Sequence, residues 1–148
     1  MAISAIGMIG CHASPVSPTE MRELSVAEAK WASKGFADYS VDVIISCGEC
    51  PPQSGRLTRV EVVDGNFFRA VVVATGEDIS NTYQGMRTPV ESQFAWIRRA
   101  NSEPQLKDLV VTFDAQLGYP TSVSSMYDRS LADGGGAVYL SNVKPLTQ

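Results

Sequence analysis

Histidine occurs once in this chain, at position 12, and that scarcity removes most familiar catalytic arrangements. The lone imidazole sits beside Cys11 at the head of a Ser14-Pro15-Val16-Ser17-Pro18 stretch that reads as a tether. No Ser-His or Cys-His pair can therefore be assembled on the folded body. Basic residues are also few: 12 Lys and Arg stand against 16 Asp and Glu, for a net charge of −4. Arg98-Arg99 is the one adjacent pair of cations, so no phosphate-neutralising surface is expected and no nucleic-acid partner. No apolar run approaches the ~18 residues of a membrane-spanning helix. Neither G-x-x-x-x-G-K-[ST] nor G-x-G-x-x-G is present, and Gly134-Gly135-Gly136 lacks a strand before it and a helix after it. Acidic residues fall singly in turns (Asp64, Asp114, Asp128) and at helix starts (Glu20, Glu91). Turn formation and capping account for them there, rather than paired-carboxylate hydrolysis. No catalytic residue and no cofactor is expected.

The N-terminus carries an address. Ala2 to Gly10 is short, apolar and uncharged, and Cys11 follows at once. An apolar segment ahead of a small-residue cleavage site marks an export signal. Met8-Ile9-Gly10-Cys11 resembles a bacterial lipobox, which makes Cys11 the expected lipidation site and new N-terminus. The first cation is Arg22 and the apolar run is short, both of which a start upstream of Met1 would explain. Residues 1–18 are read as signal remnant and tether, and 19–148 as one domain, a size that 148 residues allow. The expected location is the cell envelope, on the extracytoplasmic side, with the membrane reached through the lipid.

Ser17-Pro18-Thr19-Glu20 has the capping-box pattern with proline at the first helical position. Met21, Leu24, Ala27 and Trp31 then recur at helical spacing up to Gly35, although Ser25-Val26-Ala27-Glu28 offers a later start. Tyr39 to Cys47 alternates with period two, as a half-buried strand does. Asp64-Gly65 joins two further strands by a type I′ turn, the second continuing to about Ala74. A polar crossover, 75–87, leads to a second capping box at Thr88-Pro89-Val90-Glu91, with Val90, Phe94, Ile97 and Ala100 as the buried stripe. Strands follow at Lys107–Asp114, Thr121–Tyr127 and Ala137–Val143. The order αβββαβββ predicts an α+β fold: an antiparallel sheet of about six strands with two helices on one face. The repeated helix-plus-strands order suggests an internal duplication, although residue identity between the halves is too low to assert one.

Trp31, Asp38-Tyr39, the strand into Cys47 and Cys50-Pro51, Val62-x-Asp64-Gly65, Val90-Glu91-x-x-Phe94-x-x-Ile97 and Phe113-Asp114-x-x-Leu117-Gly118-Tyr119-Pro120-Thr121 form a pattern. It resembles a bacterial family of small exported proteins, often lipoproteins, classed as a domain of unknown function. The resemblance covers about residues 24–146, and Gly118-Tyr119-Pro120-Thr121 after Asp114 is its most specific part. It implies an α+β fold and an extracytoplasmic address, and no activity. Many relatives space the two cysteines by one residue, whereas Gly48-Glu49 intervene here.

Cys47-Gly48-Glu49-Cys50 admits three readings. A redox dithiol belongs at a helix N-terminus, but this pair leaves a strand and enters Pro51-Pro52. Zinc needs four ligands, and beyond this pair only Cys11 and His12 on the tether remain, so no metal is expected. A structural disulfide between Cys47 and Cys50 suits an exported protein and, across so short a loop, contributes about 2 kcal/mol. Phe67, Phe68, Tyr119 and Pro120 are candidates for a partner-binding patch, since adjacent strand residues face opposite ways. The reading is a non-catalytic binding, inhibitory or envelope-assembly lipoprotein whose partner is an unknown envelope protein or ligand. The alternative is a thiol-disulfide protein using Cys47 and Cys50.

Overall fold

The computed structural model describes residues 14–48, 52–128 and 134–146. Helix α1 spans Pro18–Lys34, followed by strands β1 (Tyr39–Cys47), β2 (Thr58–Val63) and β3 (Asn66–Val72). Helix α2 spans Pro89–Arg99 and runs into a short 3₁₀ turn, Ala100–Ser102. Strands β4 (Leu106–Phe113), β5 (Pro120–Tyr127) and β6 (Gly135–Pro145) complete the chain. The expected α+β order is the one observed. All six strands form one antiparallel sheet in the order β3-β2-β1-β6-β5-β4. The leading strand of the first half and the trailing strand of the second meet at its centre. Each half contributes its strands in the same order, β3-β2-β1 and then β6-β5-β4.

The helix starts differ in how they are capped. At α1 the Ser17 hydroxyl accepts from Glu20 N while the Glu20 carboxylate accepts from Ser17 N at 2.7 Å, a complete capping box. Ser25 Oγ instead donates to Met21 O inside the helix, so the later start is not used. Thr88 forms no side-chain cap at α2. The expected second box is not formed: Thr88 Oγ1 pairs with Ser92 Oγ at 3.3 Å, and the Glu91 carboxylate is engaged elsewhere, as described below.

Strand β1 departs from the half-buried expectation. Ser40 and Asp42 are buried along with Tyr39, Val41 and Val43. The Asp42 carboxylate, 1% exposed, accepts from Arg59 Nε (2.7 Å), Arg59 Nη2 (3.0 Å) and Asn142 Nδ2 (2.9 Å). Asn142, at φ 52°, lies where the β1–β6 register slips between Asp42↔Ser141 and Ser40↔Lys144. Three donors on one carboxylate offset much of the cost of taking its charge out of water.

The β2–β3 turn is type I′, with Asp64 at φ 50° and Gly65 at φ 70°. Strand β3 stops at Val72, two residues before its expected end, where the chain turns back on itself. Val72 N donates to Glu77 O, Ile79 N to Ala70 O, and Ala70 N to Ser80 Oγ. The crossover therefore covers that sheet edge and buries Ile79 and Tyr83 against the core. At the other end of the chain, β6 begins at Gly135, so two of the three glycines belong to a strand rather than a loop.

Candidate functional site

The sequence pattern that marks the chain holds its elements together. Glu91 on α2 accepts from Tyr39 Oη of β1 at 2.5 Å and from Trp31 Nε1 of α1 at 3.2 Å. Burial first, then the Glu91 charge and hydrogen bond, push the Tyr39 phenol well above its ordinary range. The Trp31 ring meets Tyr39 and Tyr119 edge-on, at 5.3 and 6.4 Å between centroids. The Asp114 carboxylate accepts from Gln116 N and Leu117 N, and Gly118 N donates to Asp114 O, closing the β4–β5 turn. Gly118 has φ +85°, and a Cβ there would stand 2.4 Å from Ala27 O of α1. Asp38 likewise fixes the other hairpin, accepting from Asp64 N at 2.7 Å. These residues seat both helices and both hairpins, and their chemistry is spent on structure.

The aromatic candidates do not form one patch. Tyr119 and Pro120 are buried in the β4–β5 turn. Phe67 is half-buried, stacked on Tyr83 at 5.7 Å with the Arg87 guanidinium 4.9 Å over its ring. Phe68 is the extra residue where the β2–β3 register slips between Glu61↔Arg69 and Val62↔Phe67, and it stands 62% exposed. Cys47 ends β1 and is exposed, opposite Gly136 of β6. Cys11 and Cys50 lie outside the described residues. Among the described residues no three His, Cys, Asp or Glu side chains gather as a metal site would require. No helix there is long and apolar enough to cross a membrane.

Beside Cys47 the sheet carries an open groove of about 340 Å³. Its floor is one cross-strand row: Ile45 of β1, Val138 of β6 and Val123 of β5. Gln93 and Trp96 of α2 form one wall, Ser125 and Tyr127 of β5 extend it, and Cys47 and Gly136 lie at the rim. Gly136 keeps the rim low: a Cβ there would come within 3.0 Å of Cys47 Cβ and Ser46 O. Among the described residues no Asp, Glu, Lys or Arg lines the groove. It can therefore hold apolar matter and offers little to an ion.

One wall residue is out of keeping with its surroundings. Gln93 is 6% exposed, its Nε2 donates to the Met86 sulfur, and its Oε1 has no hydrogen-bond partner among the described residues. Neither Gln93 nor Trp96 belongs to a motif that the sequence displays. A signal for Gln93 was present, because it lies three residues after Val90 and four before Ile97, inside the apolar stripe of α2. A polar side chain in such a stripe needs a partner or a purpose. Nothing comparable marks Trp96, a half-buried flank position whose neighbours come from distant strands.

No curated protein and no solved structure matches this chain. The pattern of DUF6174, a family of unknown function, matches residues 23–145, and the chain belongs to that family.

Proposed function

We propose that the protein is a non-catalytic binding module, held at an extracytoplasmic membrane face through lipid on Cys11, that takes an apolar ligand into the groove beside Cys47. The groove carries this reading. It is concave, apolar and within the ~300–1,000 Å³ range of small-molecule sites. It also lies apart from the Glu91, Asp114 and Asp38 joints that account for the most distinctive residues. A Cys47–Cys50 disulfide would fix the chain as it leaves β1 at the groove rim. One acyl chain anchors only marginally, so stable attachment requires the several chains of a bacterial lipoprotein anchor.

Binding is tested with N-phenyl-1-naphthylamine, a neutral apolar fluorophore, on the detergent-free oxidised chain. Saturable enhancement is expected, weakened at least tenfold by Val138→Phe, which raises the groove floor. No saturable binding, or binding that Val138→Phe leaves unchanged, removes the groove from the proposal. The anchor is tested by non-reducing peptide mass spectrometry of protein from its own cells. Lipid-modified Cys11 at the N-terminus and a Cys47–Cys50 crosslink are expected. An unprocessed N-terminus with free thiols would overturn the address and return the thiol-disulfide reading to the front.

A further inference from the structure

The two edges of the sheet are treated differently by the chain. At β3 the crossover lies along the edge: Val71 bridges to Asp78, Val72 N donates to Glu77 O and Ile79 N to Ala70 O. At β4, the opposite edge, no segment of the described residues pairs with the strand on its outer side. Successive residues of an antiparallel strand turn their backbone groups to alternate sides. Asp114 N donates to Tyr119 O, toward β5, and Tyr127 N donates to Gly134 O, toward β6. Counting from either anchor gives Val110 and Thr112 to β5 and turns the N–H and C=O of Val111 and Phe113 outward. Earlier in the strand the edge is shut, because Leu109 is buried beside Val16, whose N–H and C=O are both held by Asn101. Val111 and Phe113 are only half-buried. Natural edges are commonly blunted by charge, but the two charges of β4, Lys107 and Asp108, come before this stretch.

Helix α1 overhangs the open stretch. Arg22, Glu23, Val26 and Lys30 line a groove of about 350 Å³ with Phe113 and Ala115, and Val26 is 64% exposed. The Lys30 ammonium donates to Ala115 O, and neither it nor Arg22 belongs to an ion pair among the described residues. The Asp114 carboxylate is taken up by its own turn, which leaves Glu23 alone against two cations. A second copy of the chain is a poor occupant. Arg22 and Lys30 lie four residues either side of Val26, so a two-fold axis there would set cation against cation twice.

We propose that the β4 edge from Val111 to Phe113 takes an extended acidic segment of a partner protein as an added strand. An apolar side chain of that segment lodges between Val26 and Phe113, and a carboxylate is held by Arg22 and Lys30. Main-chain hydrogen bonds supply affinity in this mode, and the groove supplies selectivity.

The probe is a fluorescein-labelled, end-capped Val-Glu-Val-Glu-Val peptide, followed by fluorescence anisotropy on the whole chain. Saturable binding is expected, about tenfold tighter than for Val-Lys-Val-Lys-Val. Arg22→Glu, at an exposed helical position, should erase that preference and leave N-phenyl-1-naphthylamine binding as it was. N-methylation of alternate peptide amides separates strand pairing from simple charge attraction. Methylating one alternate set should weaken binding about tenfold and methylating the other should not. Val138→Phe, which blocks the groove beside Cys47, should leave the peptide's affinity unchanged. No saturable binding of the acidic peptide, equal binding of both peptides, or a preference that survives Arg22→Glu would overturn the proposal. So would indifference to both methylated sets, or loss of peptide binding in Val138→Phe, which would put the peptide in the other groove.

Discussion

Replacing Glu91 tests whether the distinctive residues act as a clasp. Its carboxylate holds two buried aromatic donors from two other elements, Tyr39 Oη and Trp31 Nε1. A hydrogen bond to a charged group contributes ~1.5–3 kcal/mol net. Because Glu91 itself is exposed to water, the lower end applies to each bond, and Glu91→Ala should cost about 3 kcal/mol. At a urea slope of ~2 kcal/mol per molar, the midpoint falls by about 1.5 M. Part of that loss could come from removing an acidic group in the first turn of α2, worth ~0.3–1 kcal/mol. A cycle with Tyr39→Phe separates the two contributions. Tyr39→Phe alone should cost ~1.5 kcal/mol, and the pair should cost ~1–1.5 kcal/mol less than the sum of the single changes. Urea unfolding followed by tryptophan emission reads all four proteins. A Glu91→Ala loss under ~0.5 kcal/mol, or strict additivity with Tyr39→Phe, would refute the clasp.

Two further outcomes follow from the helix caps and the buried phenols. Ser17→Ala should destabilise by ~1 kcal/mol, whereas Thr88→Ala, which removes no capping bond, should cost under ~0.5 kcal/mol in the same urea assay. Burial pushes the Tyr83 phenol up to about 12 and Tyr39 higher still, by burial together with the Glu91 charge. A raised folded-state value favours the neutral phenol, so the stability is intact below the unfolded value of 10 and is lost as pH climbs through the folded values. Phenolate absorbance should therefore show a late step near pH 12 that coincides with loss of the folded circular-dichroism signal. A Tyr39 that ionises reversibly below that transition would contradict its placement.

The sequence was most legible where a residue's partner lies close by in the chain. The Ser17–Glu20 box and the Asp64-Gly65 turn are local, and both occur as read. The Thr88 box was equally local in appearance, yet Glu91 is taken by residues 52 and 60 positions away. Asp42 reads as an outward strand residue until Arg59 and Asn142, 17 and 100 positions off, surround it. The start of β6 was missed because glycines signal loops, whereas Gly136 belongs in a strand where the opposite Cys47 needs room. The groove suffered most, since it exists only where three strands and a helix converge. Gln93 alone left a trace, as a polar interruption of an apolar stripe.

Because β1 and β6 pair at the middle of the sheet, the fold is closed by two strands far apart in sequence rather than by neighbours along the chain. The β2–β3 and β4–β5 hairpins can form early, each from contiguous residues, but the strand that joins them is the last of the six to be made. Until it arrives, β1 has a partner on one side only and the sheet is two separate ribbons. Closing a loop of nearly a hundred residues makes that final docking slow relative to hairpin formation. A chain truncated within β6 would lose the seam of the fold, and a chain threaded through a membrane from its N-terminus would complete its core only after the last strand had crossed.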